Sequence, residues 1–182
     1  MISLIQTAEG ALQETHSILQ RMNELAVQAS NDTNMNDVDR EAMQAEMDAL
    51  IDEIDDIAGR TEFNTQNLLN GDFKDKVFHI GANEGQSITV SIDKMDAEAI
   101  EVAGLATTGE GEGATGALLT QDGADKAITT IQEAINTVST QRSDLGAIQN
   151  RLEHTINNLG ASSENLTAAE SRIRDVDYAE AA

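Results

Sequence analysis

The sequence has no cysteine, no proline and no tryptophan, and aromatic residues make up only 2% of its 182 positions. Without cysteine the chain can form no disulfide, no thiolate nucleophile and no cysteine-bound metal site. Without proline, long helices can continue without a break. Because aromatic side chains are scarce, the core must be built from Leu, Ile, Val, Met and Ala, which suit helix-on-helix packing better than a ligand pocket.

Positive charge is also scarce, since 11 Lys and Arg stand against 33 Asp and Glu and the formal net charge is -22. A surface this negative repels nucleic-acid phosphates and anionic lipid headgroups, so we predict neither nucleic-acid nor membrane binding. No apolar run approaches the ~20 residues of a membrane-spanning helix. The first residues lack the basic start and cleavage site of a signal peptide.

Apolar residues repeat every seven positions near the N-terminus, at Ile5, Leu12, Leu19 and Ala26. A second series completes the three-four spacing of a heptad seam: Ala8, Thr15, Met22 and Ala29. Ile18 and Leu25 lie beside this seam and widen the apolar stripe. The pattern predicts a first helix over residues 1–30.

A second helix is predicted from about residue 36 to residue 58, because Asn36 or Asp37 can cap it and Gly59 can end it. Its stripe contains Met43, Met47, Leu50, Ile54 and Ile57. From about residue 76 to residue 93 the apolar period changes to two, which predicts a small β-hairpin that leans on the helices. Residues 96–120 are acidic and glycine-rich, and we interpret them as a loop.

The last helix is predicted from about residue 122 to residue 174, with three-four apolar steps that include Leu145, Leu152 and Leu159. At 1.5 Å per residue, ~50 helical residues extend about 75 Å. We therefore predict a mainly α fold: an elongated antiparallel bundle of two N-terminal helices and one long C-terminal helix, with a small β-hairpin. Residues 1–95 and 121–182 are the two parts of this single rod.

No pattern in the sequence points to catalysis, a cofactor or a metal. The three histidines are unclustered. The Gly-x-Gly-x-x-Gly match at residues 111–116 follows no strand and has Glu110 and Glu112 beside the place where a phosphate would bind, so we interpret it as a flexible linker. The run Asp32-x-Asn34-x-Asn36 opens like a calcium loop but has Asp37 and Met43 where Gly and Glu are required. Asp52, Asp55 and Asp56 share a helix face, which would allow weak cation binding, but a run of acidic residues is more typical of a solvated helix surface.

Six segments of the chain resemble the bacterial flagellin family, most closely the Bacillus type. The N-terminal ones are ISLIQTAEGAL at 2–12, LQRMNELAVQA at 19–29, and TEFN at 61–64 with LLNG at 68–71. The C-terminal ones are LGAIQNRL at 145–152 and NLTAAESRIRDVD at 165–177. The resemblance covers about residues 1–95 and 120–178 in the family's order.

The resemblance implies a structural subunit of the flagellar filament, used in motility and secreted through the flagellar export apparatus to the cell exterior. Its expected partners are other flagellin subunits and, in the full-length protein, an export chaperone. The family's terminal segments are missing at both ends, so we expect a core fragment that stays monomeric and does not polymerise. The family's outer variable region is expected to be reduced to residues 96–120.

The family's rod also carries a surface recognised by Toll-like receptor 5. The resemblance places its contacts at Gln20, Arg21, Glu24, Leu25, Gln28, Glu46 and Arg151. An arginine beside an apolar residue is typical of a binding anchor, whereas an arginine in isolation is more typical of a solvated helix surface. Asn23 departs from the basic residue that is frequent in the family at this position.

Two other functions fit the same residues. One is a flagellin-like adhesive or hook-junction protein that uses the acidic loop to bind a ligand. The other is an enzyme inserted in the variable region, but residues 96–120 are too few for a hydrolase and contain no histidine. We therefore predict that the chain is not an enzyme.

Overall fold

A computed structural model describes residues 1–31, 36–81 and 85–181 of the chain, with side chains as far as residue 158. Three helices dominate it: α1 (Ile2–Ser30), α2 (Asp37–Arg60) and α3 (Gln121–Ala181). The predicted mainly α bundle is confirmed. The sequence places the start of α3 within one residue, but the helix continues seven residues past the predicted end. Its 61 residues extend about 90 Å.

The ends of α2 follow from its sequence. The Asn36 side chain accepts a hydrogen bond from the Asp39 amide at 2.8 Å, and Asp37 and Asp39 place negative charge in the first turn. The helix ends at Arg60 rather than at residue 58, because Gly59 keeps helical geometry and Thr61 is the first extended residue. The run that opens like a calcium loop falls mostly on residues 32–35, outside the described residues.

Helix α1 lies between the other two helices and runs antiparallel to both. Its start lies beside Leu152 and Thr155 of α3, and Gln13 lies near Ser139. On the α2 side, Arg21 bonds Glu46. A helix packed on two sides must bury a wide stripe, and α1 buries Leu4, Ile5, Ala8, Leu12, Thr15, Leu19, Met22, Leu25, Ala26 and Ala29.

The residues that we assigned to the helix seams lie in one continuous core. Seven are buried: Ile5, Leu12, Leu19, Met47, Ile54, Leu145 and Leu152. Leu50 is half-buried against the same core. Leu159 lies beyond the described side chains.

Two antiparallel hairpins follow α2. A short one joins β1 (Glu62–Phe63) to β2 (Gln66–Asn67), and the predicted one joins β3 (Lys76–His79) to β4 (Ser87–Val90). In the predicted hairpin, Ile88 and Val90 are buried while Val77 is 56% exposed. The sequence missed the first hairpin, whose turn holds Asn64 and Thr65 at φ 51° and 66°, because Asn-Thr lacks the glycine that usually marks such turns.

Residues 96–120 are irregular, and both ends of the segment pack against the core. Short 3-10 turns form at Ala103–Leu105, Gly111–Gly113 and Ala117–Leu119, and Thr108 bridges Thr115. Residues 111–116 are mostly exposed, and the flexible linker there stays a prediction. The apolar residues of this acidic segment anchor it to the core: Ala97, Ile100, Val102, Leu105 and Leu118.

Candidate interaction surface

Arg21 joins α1 to α2 through two carboxylates. Its Nε and Nη2 donate to the two carboxylate oxygens of Glu46 at 2.8 and 3.1 Å, and its Nη1 donates to Glu24 at 3.2 Å. The bond to Glu46, and then the bond to Glu24, raise the pKa of Arg21 above its ordinary value. The side chain is 45% exposed, so this fork holds a cation in one orientation at the surface.

Two further predicted contacts extend the same face of α1. Gln20, Glu24 and Gln28 are exposed and follow one another at intervals of four residues, which places them in one row along the helix. Gln20 also pairs with His16 through Nε2 atoms 3.1 Å apart. The structure thus brings five predicted receptor residues together: Gln20, Arg21, Glu24, Gln28 and Glu46.

Leu25 does not belong to this exposed face. It is only 1% exposed and lies in the core cluster. The interpretation of Leu25 as an apolar anchor beside Arg21 is therefore not supported by its position, since a receptor could not reach the side chain. Leu25 is buried because the apolar stripe of α1 is wide. The stripe includes the position of Leu25, which lies beside the heptad seam.

Arg151 is exposed on α3, away from Arg21. Gly146 of α3 lies opposite Glu9 of α1. A β-carbon built on Gly146 would stand 3.6 Å from a carboxylate oxygen of Glu9. Because α1 and α3 are antiparallel, Arg151 lies level with about the fourth residue of α1. It is therefore displaced from Arg21 by about 25 Å along the bundle.

The sequence did not reveal a buried polar contact between α2 and residues 105–118. Gln44, which is 2% exposed, donates to the Leu105 carbonyl at 2.9 Å and accepts from the Leu118 amide at 2.7 Å. Arg40, which is 7% exposed, donates to the Ala29 carbonyl at 2.7 Å. That carbonyl belongs to the last turn of α1, where a cation is favoured.

The acidic residues of α2 are partly committed to the same segment. Asp48 accepts from the Thr107 amide at 2.9 Å and from the Thr107 hydroxyl, and Asp55 accepts from the Ala97 amide at 2.8 Å. Within the described ranges, no three His, Asp or Glu side chains converge to form a metal site. In the cluster of Asp52, Asp55 and Asp56, the Asp55 carboxylate therefore caps a backbone amide, so the cluster does not offer three free ligands.

Among the described residues, no helix carries an apolar stretch long enough to cross a membrane.

Comparisons with known proteins agree with this architecture. The family model for the bacterial flagellin N-terminal helical region matches residues 1–74, and that for the bacterial flagellin C-terminal helical region matches residues 128–182. The chain is 52% identical to flagellin of Bacillus subtilis over 98% of the chain and 66% of that protein. It is 51% identical to flagellin of Halalkalibacterium halodurans, over 98% of the chain and 62% of that protein.

Among solved structures, the crystal structure of Bacillus cereus flagellin has a TM-score of 0.72 and 31% identity. The match covers 92% of this chain and 90% of that one. The chain spans less than two thirds of the length of the two curated relatives. The identity over nearly the whole chain, the two family matches and the shared three-helix rod show that the chain belongs to the bacterial flagellin family.

Proposed function

We propose that this chain is the rod of a flagellin, a structural subunit that packs with other flagellin subunits into the flagellar filament and serves motility. The observation that carries the proposal is the 52% identity to a flagellin over 98% of the chain. The fold is consistent with this role, because it uses its apolar side chains to hold three helices together. A structural role needs no catalytic group.

The proposal includes the setting of a filament protein: secretion, a place in the extracellular flagellum, and an export chaperone as partner of the full-length protein. We also propose that residues 96–120 correspond to a reduced variable region. The two family matches end at residue 74 and resume at residue 128, and so flank this segment.

A chimera tests the filament function. In it, this chain replaces the matching segment of Bacillus subtilis flagellin, and the gene is expressed in a strain that lacks its own flagellin. We expect filaments by electron microscopy and restored swimming, because about half of the matched residues are identical. Export without filaments would contradict the proposal and favour the adhesive or hook-junction alternative. The native gene in the same strain is the control.

We propose a second role for the exposed face of Gln20, Arg21, Glu24, Gln28 and Glu46, recognition by Toll-like receptor 5. The supporting observation is the two-carboxylate fork that fixes Arg21 at the surface. A guanidinium held in one orientation loses little freedom on binding, which is a property of interface anchors. Arg151 would be a separate contact, and Leu25 would act only by supporting the helix.

Arg21→Ala should lower receptor signalling by about tenfold or more, the loss expected when an arginine anchor is removed. The measurement is a reporter-cell dose response with circular dichroism on the same sample. Helix content should not change, since exposed ion pairs contribute little to stability. The matched control is Arg60→Ala, which removes another exposed arginine paired with a glutamate. Equal potency of Arg21→Ala and the parent chain would contradict the receptor surface.

A further inference from the structure

The turn at Asn70 and Gly71, between the two hairpins, is closed by the Asn70 side chain. Its Oδ1 atom accepts a hydrogen bond from the Asp72 amide at 3.0 Å, and its Nδ2 atom donates to the Asp72 carboxylate at 2.9 Å. A bond from Oδ1 to the amide two residues on folds the side chain back over the intervening peptide bond. The carboxamide carbon of Asn70 is therefore held beside the Gly71 amide nitrogen.

Gly71 supplies an unhindered nitrogen at this point. Its φ is 94°, and a β-carbon there would stand 3.3 Å from the β-carbon of Lys94, so the position favours glycine. Within the described residues, the Gly71 amide donates to no acceptor. Neither a side chain nor a hydrogen bond therefore keeps this nitrogen from the Asn70 carboxamide.

Asn67, three residues earlier, has the same folded-back side chain but a different amide after it. Its Oδ1 atom accepts from the Leu69 amide, also two residues on, at 3.0 Å. The residue after Asn67 is Leu68, which is fully buried and whose amide donates to the Thr61 carbonyl at 3.0 Å. The amide that follows Asn67 is thus engaged, whereas the amide that follows Asn70 is not.

We propose that Asn70 is a site of self-modification, where the folded turn converts the side-chain amide to a carboxylate. The Gly71 nitrogen loses its proton to hydroxide and attacks the carboxamide carbon of Asn70. The bond from that carbon to Nδ2 breaks, and Nδ2 takes a proton from water and leaves as ammonia. Water then opens the resulting five-membered imide at either carbonyl. The products are aspartate and its β-linked isomer, and one water is consumed for each ammonia released.

The fold supports two parts of this reaction. The Asp72 amide already donates to Oδ1, the oxygen on which negative charge develops when the carbon is attacked, and such a donor stabilises the transition state. An open groove of about 310 Å³, lined by Asn70 and Lys94 among others, gives water access to the turn. The same turn connects Leu69 and Phe73, which are both buried. The β-linked product would add a carbon to the main chain between these two anchors.

The first test follows the folded chain during incubation at mildly alkaline pH. Trypsin then releases residues 61–74 as one peptide, cut after Arg60 and Lys74, which contains both asparagines. Mass spectrometry should show acid at Asn70 forming about tenfold or more faster than at Asn67, with the β-linked isomer among the products. Equal rates at the two positions, or aspartate without its isomer, would overturn the proposal. In Asn70→Gln, where the five-membered ring cannot form, the acid at this position should disappear.

The second test separates the fold from the Asn-Gly pair itself. The chain unfolded in guanidinium keeps the pair but loses the hydrogen bonds of the turn. We expect Asn70 to react at least as fast in the folded chain as in the unfolded one. The synthetic peptide 61–74, incubated in both solvents, corrects for the effect of the denaturant. A rate that is about tenfold or more slower in the folded chain would mean that the turn protects the amide, and the proposal would be overturned.

Discussion

Leu25→Ala should lower the free energy of unfolding by about 2–5 kcal/mol, which is the range for truncating a buried leucine. The side chain is 1% exposed and belongs to the core that holds α1 against its neighbours. Removing it leaves a cavity that the packed helices can fill only in part. Urea unfolding followed by circular dichroism measures the change.

Val27→Ala is the matched control, since Val27 is an apolar residue of the same helix that is 44% exposed. Its effect should stay within about 0.5 kcal/mol. If Leu25→Ala instead keeps full stability and lowers receptor signalling, Leu25 would be a receptor contact and its buried position would be wrong. Measuring stability and signalling on one sample separates the two roles.

Leu25 also shows how far the sequence could go. The heptad spacing located the first seam, and every member of its two series from Ile5 to Ala29 is buried. Spacing alone could not say that α1 packs against two helices at once, which decides whether a residue beside the seam is buried. The family resemblance assigned Leu25 to a receptor, whereas the packing assigns it to the core.

The hairpin illustrates a second limit. A period of two predicted the strands, and the register pairs Val77 with Thr89 and Phe78 with Ile88. Alternation divides a strand into two faces but does not say which face meets the core. The core side is taken by Phe78 of β3 and by Ile80 just after the strand, which are partly buried, while Val77 faces solvent.

Residues 96–120 were the hardest to predict, because their order depends on partners far away in sequence. Gln44 reaches Leu105 and Leu118 across 61 and 74 positions, and no local pattern records such contacts. Glycine and acidic residues are typical of loose loops. Here the isolated apolar residues bury themselves on the helices, and polar side chains of α2 satisfy the backbone groups that are buried with them.

Gln44→Ala should therefore cost about 2–4 kcal/mol, since it leaves the Leu105 carbonyl and the Leu118 amide without their partner in a buried setting. Hydrogen exchange can tell where the loss occurs. The Leu118 amide now donates at 2.7 Å to Gln44, so its exchange should accelerate at least about tenfold in the variant. Gln132→Ala, an exposed glutamine on α3, is the matched control and should leave both measurements unchanged.

The pattern of exchange also shows how the hydrogen bonds of Gln44 contribute to the stability of the rod. If the Leu118 amide exchanges faster while the Leu19 amide in the core of α1 does not, residues 105–118 open as a local unit, and the hydrogen bonds of Gln44 hold that unit closed. If both amides accelerate equally, the segment is part of the cooperative core. If neither changes, the hydrogen bonds of Gln44 do not hold the segment. We expect the first result, because residues 107–116, between the two contacts of Gln44, are largely exposed.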